Sequence, residues 1–122
     1  MGKIKILVAE DDQINRKLFS YILKDVSSEL LMAADGIEAI KLFNENPDID
    51  LILMDLKMPG MDGYEATEQI RKTNTEVKII ALSAFSVETE QSKAKANGFD
   101  AYVSKPVSKV NLIEKIHSYF GV

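Results

Sequence analysis

Short apolar runs in this chain end repeatedly in groups that can handle a phosphoryl anion. IKILVA (4–9) runs into Glu10 and Asp11, DLILM (50–54) into Asp55, VKIIAL (77–82) into Ser83, and AYV (101–103) is followed two residues on by Lys105. Two like charges ~5 Å apart repel by roughly 3 kcal/mol at the effective dielectric near a protein surface, so clustered acids must be solvated, neutralised or used. Mg²⁺ would use them, since it takes oxygen ligands and binds through one or two carboxylates plus phosphate oxygens. Asp55 could then attack phosphorus as a carboxylate nucleophile. Lys105 would offset charge spread over the phosphoryl oxygens, and the Ser83 hydroxyl could donate to one of them. Singly, each residue is ordinary: an acid at a strand end is more often a helix cap, as Asp12 is expected to be, and a lone Lys is usually solvated.

The elements that would gather these groups are legible as five β-then-α units. The apolar runs, with LLMAA (30–34) as the second, are short and rich in Ile, Leu and Val, as strands buried on both faces should be. Helical stretches separate them. Ile14, Leu18, Tyr21 and Ile22 recur at i, i+4, i+7 and i+8 and predict the core face of the first helix, while Ile113, Ile116 and Phe120 do the same near the C-terminus. Asp12 or Gln13 opens the first helix, Asp-Gly pairs at 35–36 and 62–63 open the second and third, and Asn97-Gly98 closes the fourth. Helical crossovers join parallel strands, so the expected fold is α/β: a doubly wound, flavodoxin-like sheet of five parallel strands in the order 2-1-3-4-5, with five helices. Ligands of such sheets bind at the carboxyl ends of the strands, where the acids fall. The segment SVETEQSKAKANG (86–98) has few apolar contacts to offer and is expected to be a loosely held helix.

Composition narrows the rest. The chain has 122 residues, 46% hydrophobic and 28% charged, which suits a single domain over 1–122. No apolar run approaches the ~20 residues that cross a bilayer, and the start MGKIKILVAE lacks a signal-peptide pattern, so a cytoplasmic location without direct membrane contact is the expectation. Ile6 stands where a myristoylation signal needs Ser or Thr. The absence of Cys excludes disulfides and thiolate chemistry, and a net charge of −4 gives no reason to expect nucleic acid as a partner.

Through KILVAEDD, LILMDLKMPGMDG, IIALSA and AYVSKPV, essentially the whole chain resembles a receiver domain of the two-component response-regulator family. The resemblance implies that Glu10 and Asp11 hold Mg²⁺ (or Mn²⁺) with Asp55 and the Lys57 carbonyl, that Asp55 is the phosphoacceptor, and that Lys105 binds phosphate. Ser83 would be the switch hydroxyl and Tyr102 the aromatic that moves with it. It further implies a cis Lys105–Pro106 bond and a tight turn at Gly60 and Gly63. Glu10 replaces the commoner Asp, and its extra methylene favours a water-mediated metal contact. Lys57 and Phe85 fall where the family varies its dephosphorylation rate. Asn15-Arg16 with Ser104-Lys105-Pro106 is similar to receivers of hybrid sensor histidine kinases. The implied partner is a histidine kinase or histidine phosphotransfer protein, since His117, the only histidine, sits beside an apolar stripe and is expected to pack at its boundary. The domain would be a switch that assists its own phosphorylation and dephosphorylation rather than an enzyme, a monomer or weak dimer, signalling through its fourth helix, fifth strand and fifth helix.

Three other classes share some of these features. A flavoprotein of the same architecture needs a hydroxyl- and Gly-rich loop after its first strand, and here that loop is acidic. A metal-dependent hydrolase using Asp55 would need a general acid/base and a substrate pocket, for which the sequence offers no candidate. A degenerate, phosphate-independent receiver would be expected to lack part of the acid, hydroxyl and lysine set, which is complete here.

Overall fold

The structure, a computed structural model, describes residues 3–84 and 97–121. They form β1 (Ile4–Ala9), α1 (Gln13–Leu23), β2 (Ser27–Ala33), α2 (Gly36–Glu45), β3 (Leu51–Asp55), α3 (Gly63–Arg71), β4 (Lys78–Ser83), β5 (Ala101–Ser104) and α4 (Lys109–Phe120). The strands pair in parallel in the order β2-β1-β3-β4-β5, as expected. The described residues hold four helices, not five: most of 86–98, the stretch expected to be a further helix, lies outside them, as does Phe85, while Asn97 and Gly98 form a turn. No helix among the described residues is long and apolar enough to cross a membrane.

Period-two alternation sends each central strand's side chains into two separate cores. Leu7, Ile52, Met54 and Ile79 face one side with Phe43 of α2 and Ile70 of α3. Ile6, Val8, Leu53 and Ile80 face the other with Phe19 and Ile22 of α1 and Leu112 and Ile116 of α4. Burial on both faces explains why these strands read as continuous apolar runs.

Helix α1 corrects the sequence reading. Ile14, Leu18 and Tyr21 are 76%, 43% and 63% exposed, and the buried face is instead Phe19, Ile22 and Leu23. Both stripes have helical spacing and share Ile22, but they differ by roughly 100° about the axis, one residue's rotation. Docking direction chose between them. Strand β2 begins at Ser27 rather than Leu30, because an edge strand is defined by its ladder to β1, where Ile4 pairs with Ser27 and Lys5 with Glu29, and not by apolarity. His117 is exposed on α4.

Local chemistry sets the helix starts. Asp12, Asp35 and Asp62 each cap a helix, accepting from the backbone N–H of Ile14, Glu38 and Glu65. At the opposite edge of the sheet, Arg71 donates to the carbonyls of Gly98 and Val77 and pairs with Asp100 at 2.8 Å, fixing the entry into β5 and with it the line on which Lys105 lies.

Candidate phosphoryl-accepting site

Strands β1, β3, β4 and β5 end side by side and place Glu10, Asp55, Ser83 and Lys105 at one cleft of about 300 Å³, which Asp11 and Lys57 also line. Glu10, Asp55 and Ser83 are 1%, 4% and 2% exposed, whereas Asp11 faces solvent. The Lys105 ammonium lies 2.6 Å from Asp55 Oδ2 and 3.0 Å from Glu10 Oε1, bridging residues 50 and 95 positions away. Its backbone N–H donates to the Ser83 carbonyl at 2.6 Å, which ties the hydroxyl-bearing and ammonium-bearing residues together.

The two buried acids are also held from behind. Asp55 Oδ1 accepts from the Lys57 N–H at 3.1 Å, and Glu10 Oε2 accepts from the Asp12 N–H at 3.2 Å. Burial by itself would lower the Lys105 pKa, but the hydrogen bonds to Asp55 and Glu10 together with the attraction of their charges outweigh it and hold the ammonium above its ordinary 10.5.

Glycine shapes the floor. A Cβ at Gly63 would collide with the Asp55 carbonyl oxygen, so α3 can start directly under the strand end only with Gly there. Gly60 takes φ +75°, the left-handed conformation that Gly adopts without steric cost, in the turn between Asp55 and α3. The Lys105–Pro106 bond is cis.

Glu10, Asp11 and Asp55 each offer a carboxylate oxygen within 4.8 Å of the others. Three hard, anionic oxygens gathered this closely fit Mg²⁺ or Mn²⁺ in donor chemistry. Asp12 also lines the cleft, but its Oδ1 is engaged by the Ile14 N–H as the α1 cap. Tyr102 is buried in the core on the sheet face that also takes α2 and α3, borders a separate cavity beside α4, and is not among the residues that line the acid cleft. Sequence reasoning missed a role for Arg16, whose Nη1 donates to the Glu10 carbonyl at 2.8 Å. An Arg one turn into a helix normally reads as solvated, and only its proximity to the acid run could have drawn attention to it.

The family model described as the response regulator receiver domain matches residues 6–117. The chain belongs to that family. This receiver is therefore a domain of two-component signalling. It is 33% identical over 118 residues to the polar-differentiation response regulator DivK of Brucella anthropi, with 95% of each chain covered. Among solved structures it is 31% identical, with a TM-score of 0.89, to the co-crystal structure of the Saccharomyces cerevisiae histidine phosphotransfer signaling protein Ypd1 and the receiver domain of its downstream response regulator Ssk1, covering 97% of this receiver and 89% of that chain. A CheX–CheY–BeF3–Mg²⁺ complex from Borrelia burgdorferi is 25% identical with a TM-score of 0.89, covering 96% and 89%.

Proposed function

We propose that this receiver takes a phosphoryl group from a phosphohistidine onto Asp55 and thereby switches a protein-interaction surface. The observation that carries the reading is the Lys105 ammonium held between Asp55 and Glu10, with three carboxylates close enough to share one divalent cation. An Asp55 carboxylate oxygen attacks phosphorus, the P–N bond breaks, and its electron pair returns to the partner's imidazole. Lys105 remains protonated, as its raised pKa favours, and balances charge on the phosphoryl oxygens. Asp11, Glu10, Asp55 and the Lys57 carbonyl would hold Mg²⁺, which when bound supplies further positive charge. The added oxygens give the Ser83 hydroxyl a new acceptor. Differential contacts at Ser83 and Lys105 then shift two conformers in which Tyr102 packs differently.

The donor would come from a histidine kinase or a phosphotransfer protein, the kind of protein that Ypd1 is in its complex with Ssk1. It has a surface to approach: Ile14, Leu18 and Tyr21 of α1 are exposed apolar residues, and Leu18 borders an apolar cavity whose other walls include Lys105 and Pro106.

With Mg²⁺ and a small acyl-phosphate donor, the wild type should gain one base-labile, hydroxylamine-labile phosphoryl group and Asp55→Asn none. Equal labelling of the Asn variant would overturn the assignment.

A further inference from the structure

The Asn-Arg pair after the acid run has no part in the chemistry above, yet Arg16 touches that run directly. Its backbone N–H donates to the Asp12 carbonyl at 2.9 Å, closing the first turn of α1, while its side chain reaches back to the Glu10 carbonyl at 2.8 Å. One residue therefore holds the main chain on both sides of Asp11. The turn is tied further by the Glu10 N–H donating to the Ala33 carbonyl at 2.9 Å and by the Asp12 N–H on the Glu10 carboxylate. Among the described residues Arg16 makes no ion pair with any carboxylate. That choice of partner matters. A guanidinium bound to Asp11 or Glu10 side-chain oxygens would compete with a cation for them, whereas one bound to a carbonyl orders the turn and leaves them available.

We propose that Arg16 is a positioning residue for the acid turn: its hydrogen bond to the Glu10 carbonyl fixes the backbone on which Asp11 is presented to Asp55. The inference rests on the reading of Glu10, Asp11 and Asp55 as the metal's ligands. A planar, rigid guanidinium suits the task better than an ammonium on a flexible stem.

Mg²⁺ affinity, measured by calorimetry or by amide shifts in NMR, separates this role from others. Arg16→Ala should weaken Mg²⁺ binding about tenfold, the low end for a group that orients metal ligands. Arg16→Lys, which keeps the charge, should weaken it nearly as much. The phosphorylation rate at saturating Mg²⁺ should stay near wild type in both, a split that general damage to the fold would not give. In metal-free protein the Asp12 amide should exchange with solvent faster in both variants. Wild-type affinity in Arg16→Ala would overturn the proposal, and so would wild-type affinity in Arg16→Lys, because charge alone would then suffice. If the wild type bound no Mg²⁺, the metal reading would fall, and unchanged Asp12 exchange would then overturn the role of Arg16 as well.

Discussion

Of the charged residues lining the cleft, four carboxylates (Glu10, Asp11, Asp12, Asp55) against two ammoniums (Lys57, Lys105) leave two formal negative charges, which one divalent cation would balance. Lys105, hydrogen-bonded to Glu10 and Asp55, is the internal counterion. Removing it as Lys105→Met leaves Glu10 and Asp55 buried and unpaired, and should cost about 2 kcal/mol in urea unfolding at pH 7 without Mg²⁺, the partial exposure of the lysine tempering the larger cost of breaking a fully buried pair. The pH dependence follows from the direction of the shift. A raised folded pKa means stability that is complete below 10.5 and lost as pH climbs through the folded value, so the Lys105 contribution should vanish only on the alkaline limb. Melting temperatures taken from pH 8 upward should fall less steeply in Lys105→Met. Tyr119, raised by burial and then by Asp100, adds to that limb, and Tyr119→Phe is the control. Ser83→Ala should still accept phosphate but lose part of the response at Tyr102 seen by NMR.

At the scale of elements, function depends on how closely they approach and which face they turn. The start of α3 sits against the Asp55 carbonyl, so Gly63→Ala should cost about 2 kcal/mol in denaturant unfolding, within the usual range for overpacking, and should lower phosphorylation through displacement of Asp55. The two stripes of α1 should respond oppositely to substitution. Ile22→Ala empties a core position and should cost about 3 kcal/mol. Leu18→Asn should change stability by less than about 0.5 kcal/mol, as exposed sites do, while slowing transfer from a phosphohistidine protein and sparing labelling by a small acyl phosphate. Equal effects of Leu18→Asn on both donors would count against docking along α1.

For the whole molecule, the cleft exists only because a parallel sheet brings four strand ends into line, so ligand binding and global stability are linked. Mg²⁺ at ten times its Kd should stabilise the wild type by about 1.4 kcal/mol by mass action, and Asp11→Asn should abolish that increment in thermal melts. The acids, hydroxyl and lysine were legible in the sequence because each ends or closely follows an apolar run, and a strand buried on both faces must be apolar wherever its order in the sheet puts it. Asp12, Asp35 and Asp62 were legible as caps because capping is local. The buried face of α1, the start of β2 and the hold of Arg16 on the acid turn were not. Periodicity gives the width of a helical stripe but not its rotation against a sheet, and ladder bonds and side-chain-to-carbonyl bonds leave no mark on hydropathy. Residue types and their order along the chain fixed what chemistry could occur. The tertiary structure alone decided which oxygens meet Lys105 and which surface stays open, because both depend on distances between segments that share no local sequence.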